Sequence, residues 1–208
     1  MRIESVSEKA DRAGQYYVKL SDGRTLRLYP QTLGEFNLYQ GRELEEEELT
    51  RLRQSAGAVS AKMRAVRIVS ASAVSARDLE SRLRHKGENP EDAREAVAWM
   101  QELQLVDDLD TAKQLVRRGV SRGYGKNRLR QMLYEKQIPK ELWEEALAQA
   151  PEPDQAITRF LDQRLGPEPD RKELKKTIDA LLRRGYAWQD IRRVLSRRGE
   201  DVDGEPEE

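Results

Sequence analysis

The sequence predicts a mostly α-helical protein. Three tandem three-helix units form an elongated arc, behind a small N-terminal antiparallel β-hairpin or sheet extension. Three observations lead there. First, one helical signature recurs: Leu79, Leu83, Lys86, Gly87, Val97; then Leu129, Leu133, Lys136, Gln137, Leu147; then Thr177, Leu181, Arg184, Gly185, Leu195. The steps are 50 residues from Lys86 to Lys136 and 48 from Lys136 to Arg184, the spacing of one supersecondary unit used repeatedly. Such a unit cannot bury its apolar face alone, so neighbours stack. Second, apolar residues recur at helical spacing from Ala58 onward. Third, the N-terminus alternates with period two instead. The expected organisation is a strand-rich extension with a short helix (1–55), helical repeats over 56–106, 107–152 and 153–199, and an acidic disordered tail (200–208).

The extension comes first. Tyr16, Val18 and Leu20 alternate with Tyr17 and Lys19, and Leu26 and Leu28 alternate with Arg27 and Tyr29. Asp22-Gly23 between them supplies the positive φ angles of a tight turn. A stretch around Ile3–Val6 gives a third strand, and Pro30 ends the last one because it has no N–H to donate. Tyr16, Tyr17 and Tyr29 are read as cross-strand partners. A turn near Gln31–Phe36 and a short helix near Glu45–Arg53 follow.

In the first repeat, Val59, Met63 and Val66 share a helix face. Ser75 and Asp78 form a capping box, and Gly87 suits the left-handed residue that ends a helix. Asn89-Pro90 starts the next, with Ala93, Val97 and Met100 on its buried side. The second repeat follows the same grammar. Leu109, Ala112, Val116 and Val120 mark its first helix, Leu129, Met132 and Leu133 its second, and Pro139 opens its third. In the last repeat Ile157, Phe160 and Leu161 come first. Asp170 and Glu173 then cap a helix carrying Leu174, Ile178 and Leu181, and Trp188, Ile191 and Leu195 close the unit. Trp143 and Trp188 are read as core residues. Beyond Gly199 the near absence of apolar residues predicts disorder.

Composition narrows the function classes. Charged and apolar residues each make up 37%, and there is no cysteine, which excludes disulfides and thiolate metal sites and suits a reducing, cytoplasmic setting. No run approaches a membrane span. The single histidine, His85, sits between Arg84 and Lys86 with no ligand partner at metal spacing. Asp107 and Asp108 precede a helix, where carboxylates cap N–H groups. Gly119–Asn127 lacks the spacing of a phosphate-binding loop. No catalytic residue, metal or cofactor is expected.

The net charge of zero hides a sharp asymmetry. Residues 111–140 carry nine bases against Glu135, a net +8, and residues 171–198 carry ten bases against three acids, a net +7. The candidate contact residues are therefore Arg117, Arg118, Arg122, Tyr124, Lys126, Arg128, Arg130 and Lys136, with Arg183, Arg184, Arg192 and Arg193. Gly119, Gly123 and Gly125 are expected to make a mobile backbone that approaches phosphates. The cations would release counterions and so bind without sequence preference, and Tyr124 would stack on a base. A solvated loop is the plain alternative, and charge does not discriminate DNA from an acidic protein groove. A helix after a glycine turn also outlines a helix-turn-helix, so a DNA-binding protein acting alone is the second functional reading.

Two stretches carry a family resemblance: Leu103-Gln104-Leu105-Val106-Asp107-Asp108-Leu109-Asp110-Thr111-Ala112, and the basic run Arg117–Leu133. Together they resemble the RecX family of bacterial recombination regulators, over about residues 56–198. Gln104 stands where that family favours glycine, and Thr111 where it favours an aromatic. Leu33–Leu38 and Gly41–Leu44 resemble the extension some members carry. The resemblance implies a non-catalytic, monomeric cytoplasmic protein of DNA repair and the SOS response. It would bind the RecA recombinase filament on single-stranded DNA and restrain its strand exchange, ATP hydrolysis and coprotease activity. It implies weak, non-specific contact with the single-stranded DNA itself.

Overall fold

Strand periodicity at the N-terminus becomes a three-stranded antiparallel sheet in the order β1 (Ile3–Val6), β2 (Tyr16–Leu20), β3 (Thr25–Leu28). The computed structural model describes residues 1–167 and 169–200. Glu168 and most of the predicted acidic tail lie outside the described residues.

The β2–β3 turn differs from expectation. Gly23 is left-handed (φ 84°), but Asp22 is not. The Gly23 amide donates to the Leu20 carbonyl (2.9 Å) and the Leu20 amide to the Arg24 carbonyl (2.8 Å), giving a three-residue loop with one glycine instead of two left-handed residues. Asp22 Oδ1 accepts from the Arg24 amide at 3.0 Å, a local bond that holds the turn without positive φ. Tyr17 pairs with Arg27, whose guanidinium lies 5.6 Å from the ring centroid, and Tyr16 pairs with Leu28. Tyr29 is not a strand partner. It is buried at the N-cap of α1 (Pro30–Glu35), and its hydroxyl accepts from Arg67. The turn expected near Gln31 is thus a short helix, begun by a proline at its first position, where no intrahelical N–H is needed.

A larger difference follows. The short helix expected near Glu45–Arg53 and the helical stretch after Ala58 are one helix, α2, Glu46–Ala71. The expected boundary at residue 55/56 falls inside it. Gly57 costs about 1 kcal/mol relative to alanine in a helix. Its missing Cβ has a use, because an ideal one would stand 2.5 Å from Asp92 Oδ2 on α4 (Pro90–Glu102). α2 serves two cores. Leu49 and Leu52 pack under the sheet with Ile3, Val18, Leu20, Leu28 and Leu44. Ala61 and Ala65 pack with Leu79 and Leu83 of α3 (Ala76–His85) and Ala93, Ala96 and Met100 of α4. The two alanines are fully buried, whereas Val59, Met63 and Val66 are half-buried on another face of α2. Hydrophobicity marked that flank, but small side chains mark the line of closest approach.

The chain divides into two compact units, Met1–Val106 and a second beginning at Asp107. In the second, α5 (Asp108–Ser121), α6 (Lys126–Glu135), a 3-10 turn (Lys140–Leu142) and α7 (Trp143–Leu147) enclose Ala112, Val116, Leu129, Leu133, Ile138 and Leu147. Next, α8 (Pro153–Arg164), α9 (Arg171–Arg183) and α10 (Trp188–Arg198) enclose Ile157, Leu161, Leu181, Tyr186, Ile191 and Leu195. Burying one such leucine contributes about 1.5–3 kcal/mol. Trp143 is half-buried in the first of these cores and its indole N–H donates to the Ile138 carbonyl at 3.0 Å.

The recurring signature has one backbone form. At the ends of α3, α6 and α9, Gly87, Gln137 and Gly185 are all left-handed, with φ 87°, 53° and 83°. In each case the next amide reaches back to the signature position: Glu88 to Leu83 (3.1 Å), Ile138 to Leu133 (3.0 Å), Tyr186 to Leu181 (3.2 Å). This is a Schellman motif three times over. Gln104, where glycine was noted as the familial preference, is also left-handed (φ 55°).

Candidate nucleic-acid interface

The basic turn joins α5 to α6, and its glycines do not make it mobile. Gly119 lies inside α5 and is buried; a Cβ there would stand 2.3 Å from Leu129 Cδ2, so the glycine lets α6 cross closely. Gly125 is the N-cap of α6, where a Cβ would meet the Gly185 carbonyl oxygen at 2.5 Å. Gly123 alone of the three acts as expected, left-handed (φ 74°) with open space around it.

The start of α6 is occupied by backbone. The Gly125 amide donates to the Arg184 carbonyl (2.8 Å), and the Asn127 amide to the Gly185 carbonyl (3.1 Å). The carboxyl end of α9 therefore sits on the amino end of α6. Orphan donors of one helix meet orphan acceptors of the other, and the helix dipoles run head to tail. These amides are not available to a phosphate, so the expected approach of phosphate to a glycine backbone fails at Gly125.

The cations fall into two groups. Arg118, Arg122 and Lys126 surround the turn, exposed, and Arg183 and Arg192 are exposed on α9 and α10; none of the five has an ion-pair partner among the described residues. Arg117 stands 3.9 Å from Asp110 and Arg130 3.6 Å from Glu144, exposed pairs worth about 0–1 kcal/mol each. The others work within the fold. Arg128 donates to Gln131 Oε1 (2.6 Å), lies 3.7 Å from Glu135 and stands 6.0 Å from the Tyr124 ring centroid. Arg184 lies 4.6 Å from the Phe160 ring centroid and is half-buried. Lys136 is the C-cap of α6.

Arg193 is held most firmly. It donates to Asp154 Oδ1 (2.5 Å) and Asp190 Oδ1 (2.7 Å), while Arg197 donates to Asp154 Oδ2 (2.7 Å). Hydrogen bonds from Arg193 above all, with its charge and that of Arg197, hold the Asp154 carboxyl below the usual carboxylate range. The same bonds raise Arg193 further above its already high value. This cluster ties α10 to the start of α8.

Tyr124 is half-buried against the α5–α7 core, so its ring is only partly available. The exposed aromatic on α6 is Tyr134, 69% accessible, which sequence reasoning passed over. Its signal was present: Lys126, Arg130 and Tyr134 are spaced by four and share the polar face of α6.

Asp107 caps α5 as expected, its Oδ1 accepting from the Asp110 amide at 2.9 Å. Among the described residues no cluster of three or more histidine, cysteine or acidic side chains could hold a metal ion. No described helix is long and apolar enough to cross a membrane. The first unit contains a cleft of about 1050 Å³ where Arg42, Arg51 and Arg53 share the lining with Glu88, Asp92 and Glu95. Burial first, then Glu95, Glu88 and Glu91, raises the Asp92 carboxyl above its ordinary value.

Family models place this geometry. Residues 107–147 match the RecX second three-helix domain and residues 152–195 the third. The Regulatory protein RecX of Chlorobaculum tepidum is 31% identical over 135 residues, covering 63% of this chain and 83% of that protein. The chain belongs to the RecX family. The Regulatory protein RecX of Clostridioides difficile is 27% identical over 203 residues, or 94% of this chain and 93% of its own length. A crystal structure of regulatory protein RecX superposes with a TM-score of 0.66 at 21% identity, covering 94% of this chain and all of that one, which shows a shared fold. The mostly helical architecture with a small N-terminal sheet is thus a RecX architecture. Membership supports a regulatory role, and the two matched domains meet where Gly125 and Gly185 interlock.

Proposed function

We propose that this protein is a non-catalytic regulator that docks on the RecA filament formed on single-stranded DNA and restrains its recombinase, ATPase and coprotease activities. The observation that carries this reading is the set of exposed cations without an ion-pair partner among the described residues, Arg118, Arg122, Lys126, Arg183 and Arg192, on the two domains matched to RecX. A surface with that much unneutralised charge favours a polyanionic partner. Arg117 and Arg130, only loosely paired, join the same contact. The repeats 107–152 and 153–199 each act as one module, the repeat expected over 56–106 acts together with the N-terminal extension, and the protein works as a monomer in the cytoplasm.

The helix-turn-helix alternative is weaker for a geometric reason. A recognition helix offers its first residues to base edges. Here the backbone of Arg184 and Gly185 sits against that end of α6, accepting from the Gly125 and Asn127 amides, so the end a recognition helix would present faces another part of the chain.

The test is charge reversal. Arg118→Glu, Arg122→Glu, Lys126→Glu and Arg183→Glu together should abolish inhibition of RecA ATP hydrolysis on single-stranded DNA while leaving the circular dichroism unchanged. Inhibition equal to the parent protein would overturn the assignment.

A further inference from the structure

We infer that Tyr134 is a stacking platform for a base of single-stranded DNA. The inference rests on the filament reading above and goes further by naming the contact made to the DNA. At 69% accessible, Tyr134 is the most exposed of the large apolar and aromatic side chains described. It lies in the last turn of α6, outside the α5–α7 core. Its neighbours on that face, one and two turns back, are Gln131, Arg130, Asn127 and Lys126, all either polar or cationic and none fully buried.

That company decides what the ring fits. A protein-binding anchor sits among apolar neighbours that exclude water around it. The side chains one and two turns back from Tyr134 on that face include none. A nucleotide needs a flat π surface for its base, a cation for its phosphate and amide groups for base edges. Tyr134, Arg130 with Lys126, and Asn127 with Gln131 provide these along one helix face. Among the described residues the ion pair of Arg130 is an exposed contact at 3.6 Å to Glu144, which a phosphate can displace. Stacking tolerates any base, in keeping with binding along a filament without sequence preference.

The experiment uses the full chain and a fluorescein-labelled oligothymidylate, read by anisotropy at low salt. Tyr134→Ala should weaken binding about tenfold, and Tyr134→Trp should restore it, since either ring can stack. Tyr134→Ala should leave the salt dependence unchanged, whereas Arg130→Ala should reduce its slope by about one. An abasic oligomer should bind the parent protein and Tyr134→Ala equally. Equal affinity of Tyr134→Ala and the parent for oligothymidylate overturns the inference and leaves the filament reading intact. If Tyr134→Ala loses inhibition of RecA without losing DNA affinity, the ring contacts protein and the inference also fails. If the parent protein neither binds the oligomer nor slows RecA ATP hydrolysis, both readings fall.

Discussion

Gly185 stands in the space that a side chain on Gly125 would need, and the first turn of α6 stands in the space that a side chain on Gly185 would need. A Cβ on Gly125 would stand 2.5 Å from the Gly185 carbonyl oxygen, and one on Gly185 would stand 2.3 Å from the Arg128 amide nitrogen. Two hydrogen bonds cross this contact, at 2.8 Å and 3.1 Å. The joint between α6 and α9 is therefore made of main chain.

Gly87 and Gly185, both left-handed at a helix end, should respond differently to alanine. Gly185→Ala combines positive φ with a backbone clash, so a loss of about 2–4 kcal/mol is expected. Gly87→Ala meets only the φ penalty, because nothing lies within 4 Å of its Cβ position, and about 1 kcal/mol should be lost. Urea denaturation of the two variants measures the difference. Equal losses would mean that the α6–α9 contact adds no constraint.

Gln104 and Gln137 hold left-handed backbone without being glycine, at φ 55° and 53°. Gln137→Gly should stabilise the protein by about 0.5–1 kcal/mol, since relief of strain exceeds the entropy lost. A higher urea midpoint at unchanged slope would demonstrate it.

The Asp154–Arg193 cluster sets a pH limit. The folded carboxyl titrates below its unfolded counterpart, so its stabilisation is complete above the unfolded value, near pH 4. It is lost as the pH falls through the lower, folded value. Asp154→Asn should lower the thermal midpoint at pH 7, and the gap from the parent should narrow as the pH falls below the unfolded value and close once the folded carboxyl is protonated. A gap that stays constant across that range would sink the account.

Arg193 and Arg122 are both arginines of the basic blocks, yet their roles should separate. Arg193→Glu places three acids together, with Asp154 and Asp190, and should destabilise the second unit by about 1–3 kcal/mol. Arg122→Glu should change stability by less than about 0.5 kcal/mol while weakening oligonucleotide binding. Paired thermal melts and anisotropy titrations test both halves of the contrast.

Local rules were readable in the sequence and distant pairings were not. Ser75, Asn89, Asp107 and Asp170 cap the helices they precede because capping involves residues two or three apart. The left-handed helix end at Gly87 was equally visible. Gly125 was not, because glycine serves both turn freedom and close approach, and only the facing α9 carbonyls reveal which applies. The same ambiguity hid the continuity of α2 through Gly57. Among the candidate contacts, the charge blocks were plain, but the sorting within them was not. Arg193 and Asp154 are 39 residues apart, and no periodicity announces that they meet.

The undivided course of α2 has a mechanical corollary. Its first turns carry Leu49 and Leu52 into the sheet's core and its later turns carry Ala61 and Ala65 into the next. Neither core can melt without loosening a helix the other depends on, so residues 1–106 should unfold cooperatively in one calorimetric transition. The extension is then a fixture of the first repeat's stability, and trimming the chain to its helical portion would leave two leucines facing water at the new end.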